Sequence, residues 1–165
     1  MPVQHRLSIN NRTRVRAPIK ILEKILRITL EMYGPRVATE TSLALVQDDA
    51  MQRLNKMYRG KNRTTDVLSF SFLRMAKIVD LPALIGEIII SPGRARQQAK
   101  EFGHSTQQEI SLLFLHGLLH ILGFEHEKSK TAAKKMAGAE QKILQKNPAL
   151  KKSHHGLVGR ELVYP

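Results

Sequence analysis

The stretch from Ile110 to Phe124 is almost wholly apolar, and two histidines, His116 and His120, interrupt it. It is too short and too polar to span a bilayer, so it reads as a helix buried inside a soluble fold. On a helix, positions i and i+4 lie about 40° apart in azimuth and about 6 Å apart in rise, which lets His116 and His120 face one ion. Gly123 then permits a left-handed helix stop that turns the chain sharply, and the turn allows His126 to swing back as a third ligand. Each buried imidazole needs its own partner. Packing alone therefore explains three histidines in the pattern H-x-x-x-H-x-x-G-x-x-H poorly, whereas a zinc ion bound by His116, His120 and His126 explains it directly. Three neutral imidazoles leave a fourth position for water, the arrangement of a catalytic zinc. The chain has no cysteine, which removes disulfides, thiolate ligands and cysteine nucleophiles.

Other elements surround this helix. Val3–Ile9 alternates apolar and polar residues as a half-buried strand does. Ala17–Met32 carries Ile21, Leu22, Ile25, Ile28 and Met32 on one stripe and ends at Gly34-Pro35. An Arg-rich, acid-free start can also be a transit peptide, but a strand and a helix in sequence read better as the start of a domain. Ser42–Val46 is a second strand, and Asp48 or Asp49 can cap a helix running to about Met57. Strands follow at Asp66–Phe72 and Gly86–Ile90, separated by a variable connection from Arg74 to Pro82. Pro92 suits the first turn of a helix through Phe102. Ser105-Thr106-Gln107-Gln108-Glu109 offers two overlapping capping boxes for the histidine helix, and a last helix covers about Lys128 to Gln145. With 165 residues and 42% hydrophobic content, one domain is expected. The fold class is α/β of the α+β kind: a small mixed four-stranded sheet with about five helices packed on it and the zinc site at the end of a buried helix. Residues 1–147 form the catalytic domain, and 148–165 are a basic, loosely ordered tail. His5, His104, His154 and His155 lack the metal spacing and read as surface or capping residues.

Charge narrows the partner. Lys and Arg number 27 against 14 Asp and Glu, a net charge of +13. The excess concentrates in residues 1–22 (Arg6, Arg12, Arg14, Arg16, Lys20) and again in 53–77, where Asp66 is the lone acid. Such a field attracts polyanions. With aromatics at 5% and no Trp, an extended base-stacking platform is not expected, and phosphate contacts would dominate binding.

The zinc spacing matches the long metzincin protease motif except at position 117, which is Gly where those enzymes carry the general-base Glu. A metal-dependent peptidase is therefore the alternative, together with a non-catalytic ribosome-associated protein holding a structural zinc. The chain more closely resembles the YbeY endoribonucleases, a family of rRNA-maturation factors. The residues that carry the resemblance are Asn55–Gly60, Thr65–Phe70, Gly86–Ser91, Gly103-His104-Ser105 and the His116–His126 run, within a span from about Val3 to about Gln145. Phe124-Glu125 stands where the family usually has Tyr-Asp, and Glu87 where it has Asp.

The resemblance implies a hydrolytic zinc in a cleft beside the sheet, single-stranded RNA and rRNA as substrate, the ribosome as a partner, a cytoplasmic location and no membrane. It also implies a role for Arg59. A guanidinium fits phosphate with a planar fork and neutralises charge growing on its oxygens. Lys61 and Arg63 are expected to add general attraction for RNA. Glu125 and Glu127 flank the third histidine and are the candidate proton acceptors.

Overall fold

The computed structural model describes residues 2–75 and 82–150. Nine elements follow one another: β1 (His5–Asn11), α1 (Ile19–Tyr33), β2 (Thr39–Leu45), α2 (Asp48–Arg59), β3 (Val67–Ser71), β4 (Ala83–Ile90), α3 (Pro92–Phe102), α4 (Thr106–Ile121) and α5 (Lys130–Gln145). The expected mixed α/β architecture is observed. The strands form one sheet in the order β1-β2-β4-β3. β1, β2 and β4 run parallel, and β3 runs antiparallel to β4 with Phe70 opposite Glu87. No described helix is long and apolar enough to cross a membrane. Residues 76–81 of the connection and 151–165 of the tail, with His154 and His155, lie outside the described residues.

Alternation along the strands sorts the two faces, since successive side chains point to opposite sides of a sheet. Leu43, Leu45, Val67, Ile88 and Ile90 enter the main core with α1, α4 and α5. Ala44, Val46, Leu68 and Ile89 enter a smaller core with Met51 of α2, which Leu54 and Phe70 flank. α2 therefore covers the face opposite to α4. From Glu109 to Leu119 every residue of α4 is buried, as expected of a helix apolar all round. The packed chain continues to Leu150, whose side chain is fully buried.

Several helix starts match the sequence signals. Ser105 Oγ accepts from Gln108 N at 3.1 Å while Ser105 N donates to Gln108 Oε1 at 2.9 Å, so the first of the two capping boxes is the one formed. Glu109, needed for the second, is instead buried against His104 Nε2 at 2.5 Å. This corrects the expectation for His104. Its side chain is buried, because a buried carboxylate in the first turn of α4 requires a partner. His5 likewise sits half-buried in β1, with Nδ1 2.8 Å from Thr39 Oγ1. Asp48 and Asp49 occupy the first turn of α2 and do not cap it. Asp48 takes the Ser91 hydroxyl instead and ties α2 to α3.

β4 and the end of α4 meet at Gly86. A Cβ there would lie 2.6 Å from both Ile121 Cδ1 and the Phe70 carbonyl oxygen. The missing side chain lets the last turn of α4 lie directly on the sheet. Gly86→Ala should therefore destabilise the fold by about 1–3 kcal/mol through overpacking, seen as a lower urea midpoint with unchanged slope.

Candidate metal centre

α4 brings its histidines to one place because its end is defined by backbone hydrogen bonds. Leu122 is the C-cap and Gly123 adopts φ +92°. Gly123 N donates to His120 O at 2.9 Å, and Phe124 N to Leu119 O at 3.0 Å, the paired bonds of a Schellman motif. Phe124 then packs into the core edge-on to Tyr33 of α1, with ring centroids 5.3 Å apart. That anchor reverses the chain, and His126 returns to face α4.

The result is a triangle of imidazoles. Ring centroids are 4.9 Å apart for His116 and His120, 5.4 Å for His116 and His126, and 5.3 Å for His120 and His126. One nitrogen from each lies within 4.8 Å of the others, and the Nε2 atoms of His116 and His120 are 3.1 Å apart. A tetrahedral ion with metal–nitrogen bonds of about 2.0–2.1 Å holds its nitrogens about 3.3 Å apart, so the helical pair already has the required spacing.

A further residue prepares the donors. Glu140 of α5, 6% exposed, places Oε1 2.6 Å from His116 Nδ1. An ionised carboxylate only accepts hydrogen bonds, so Nδ1–H donates to it and Nε2 carries the lone pair. This is the usual outer partner of a metal-binding histidine. His120 is pushed down to about 3, first by burial and then by the neighbouring His116 and His126 imidazoles. It is a neutral donor at ordinary pH. The donor set fits a metal ion.

The sequence reading missed Glu140, although a signal existed. Met136, Ala139, Ile143 and Leu144 form the buried stripe of α5, and Glu140 is an acid at a position within that stripe.

A cavity of about 420 Å³ opens beside the histidines, lined by Ser69 and Ser71 of β3, His120, Ile121, and the segment Glu125 to Lys128. Ser69 and Ser71 are hydroxyls at alternate positions of a strand, so they share the face toward α4; Ser71 Oγ also donates to Ile121 O at 2.8 Å. Lys128 Nζ is 2.5 Å from Glu125 Oε2, and Glu127 Oε1 is 4.0 Å from His126 Nε2. Both flanking carboxylates thus reach the cavity.

Gly117 does not face this cavity. A Cβ on it would lie 3.1 Å from Ile88 Cγ2, so a glutamate at 117 would start against the sheet. A side chain at 117 would have to displace Ile88 by a few tenths of an ångström.

The three basic residues of the α2 end stand apart from the cavity wall. Arg59 closes α2 and is half-buried. Lys61 and Arg63 follow the left-handed Gly60. The Arg63 carbonyl accepts from Asn55 Nδ2 at 2.7 Å, and Arg63 lines a separate polar cleft with Arg94 and Gln98. None of the three is among the residues lining the histidine cavity.

Comparison with known proteins extends this picture. A family model described as "Endoribonuclease YbeY" matches residues 7–147. Among curated proteins, an "Endoribonuclease YbeY" of Bacillus cytotoxicus is 36% identical over 132 residues, covering 76% of this chain and 84% of the relative. One from Roseiflexus sp. is 37% identical over 131 residues, covering 75% and 80%. Among solved structures, a solution structure of a Thermotoga maritima protein superposes with a TM-score of 0.56 at 24% identity, covering 93% of this chain and 99% of that one.

Glu140→Gln should lower the affinity of the histidine site for a divalent metal ion about 10–100-fold while the fold persists, because the amide no longer takes the Nδ1 proton as strongly. Competition against a fluorescent chelator measures this. Unchanged affinity would show that Glu140 serves packing alone.

Proposed function

The chain belongs to the YbeY endoribonuclease family, and on that premise we propose that it is a zinc-dependent endoribonuclease cutting single-stranded RNA. Its setting would be rRNA processing in the cytoplasm, at the 3′ end of the small-subunit rRNA, with a part in ribosome quality control and the ribosome as partner. The observation that carries the reading is the meeting of His116, His120 and His126 beside an open cavity, with Glu140 orienting one of them.

His116, His120 and His126 would hold the ion. When bound, zinc supplies a Lewis acid that polarises a phosphoryl oxygen and makes water more acidic. The chain's own groups account for the rest. Ser69 and Ser71 offer hydroxyls along the cavity wall. Lys128, beside Glu125, adds positive charge for a phosphodiester. Glu125 and Glu127 are the carboxylates at the cavity that can accept the proton of the attacking hydroxyl. Arg59 grips phosphate through its fork, and Lys61 and Arg63 draw the polyanion in.

The direct experiment is metal analysis together with RNA cleavage for the parent protein and His116→Ala. The reading expects both metal and cleavage to be lost, and a fully active, metal-free variant would overturn it. The ends of the product separate two routes of attack. A 2′,3′-cyclic phosphate reports the RNA 2′-hydroxyl, and a plain phosphate reports water.

Arg59→Ala should lower turnover at saturating RNA by about 10²–10³ with metal content intact, the size typical of an electrostatic group acting on the transition state. Arg59→Lys should recover little of this, because an ammonium lacks paired donors. Lys61→Ala and Arg63→Ala should act on binding instead. Each should make the log–log salt slope shallower by up to about 0.7, the value for one phosphate contact on a single strand. Equal turnover losses in all the variants would reduce Arg59 to general charge.

A further inference from the structure

Tyr58 is left 56% exposed near the C-terminal end of α2. Exposure of one large side chain is ordinary and carries no meaning alone. The support and the position of this ring are what distinguish it. It packs edge-on against Phe70, with centroids 5.0 Å apart and planes at 64°, so the sheet braces the ring while most of the residue stays open to solvent. Phe70 lies between Ser69 and Ser71, whose side chains line the histidine cavity on the opposite face. β3 is the last strand of the sheet, so only the thickness of one edge strand separates Tyr58 from that cavity. The surroundings suit a polyanion. Along the chain Lys56, Lys61 and Arg63 flank Tyr58, and no acidic residue occurs from Ala50 to Thr65.

We propose that Tyr58 is a stacking platform for an unpaired nucleobase of the RNA strand held at the histidine cavity. The inference rests on the endoribonuclease reading above and adds a specificity determinant to it. A strand whose phosphate lies at the histidines turns round the free edge of β3 and lays a neighbouring base on the Tyr58 ring. Every base has a π-face, so stacking tolerates sequence. Only an unstacked, unpaired base can offer that face. One braced ring therefore favours single strands over duplex without reading a sequence, and no extended aromatic platform is needed.

The chain has no Trp, so Tyr58→Trp introduces a single indole at the proposed contact. Titration of this variant with a short oligoadenylate should quench the indole emission. Tyr58→Leu keeps an apolar contact with Phe70 but removes the ring. It should weaken single-strand affinity roughly five- to hundred-fold, the cost of one lost base stack, leaving its affinity for duplex RNA, its unfolding midpoint and its salt slope unchanged. Tyr58→Phe should bind as the parent does. An unquenched indole, a Tyr58→Leu variant of full affinity, or equal losses for duplex and single strand would overturn the stacking role. If the parent itself bound no single-stranded RNA, the function proposed above would fall with it. A parent that binds normally beside an unaffected Tyr58→Leu would overturn the stacking role alone.

Discussion

A helix buried on every side can carry polar groups only where each has a partner, and the stretch of α4 from Glu109 to His120 carries four. Glu109 in its first turn is met by His104, the Ser111 hydroxyl by the Gln107 carbonyl, His116 in its middle by Glu140, and His120 near its end by the other imidazoles. The remaining turns are aliphatic or aromatic and bind the helix to the sheet, α1, α3 and α5. Polar pairing at these points sets the rotation of α4 about its axis. That rotation directs Gly117 at Ile88 and leaves His120 facing the cavity.

The turn after α4 is the second constraint. Three histidines on a straight helix could not surround one point, because an i+10 residue lies about 15 Å along the axis from the first. Gly123 in the left-handed region reverses the chain, and Phe124 anchors the reversal against Tyr33. The site therefore draws on α4, the loop after it, and α5 through Glu140. Its cavity is completed by β3, the edge strand, where hydroxyls replace the aliphatic residues found on the inner strands. The same strand sends Phe70 to the other face, where it packs against Tyr58 at the end of α2.

Much of the site was legible in order along the chain. The histidine spacing, the helix-stopping glycine and the Ser105 box are local signals, and each acts within a few residues of where it is read. The same holds for the alternation of Val3–Ile9, which marks the first strand. What escaped was non-local. Glu140 lies 24 residues from His116, and a lone acid in an otherwise apolar stripe gives no hint of which residue it meets. His104 resembled a surface residue because its partner, Glu109, sat in a position that equally suited a capping box.

The sequence by itself determined that a buried helix ends in a metal-type histidine cluster, that a mixed sheet surrounds it, and that the surface is strongly cationic. These follow from periodicity, spacing and composition, which are properties of neighbouring residues. Only the tertiary structure decided the orientation of Glu140 and the packing of Gly86 and Gly117 against their neighbours. It also decided the placement of Tyr58 against Phe70, on the face of the sheet opposite α4. The physical reason is that pairing and close approach depend on how distant segments are brought together by burial of apolar surface, and that burial is non-directional. Local pattern says which face of an element is apolar, and packing alone says what that face meets.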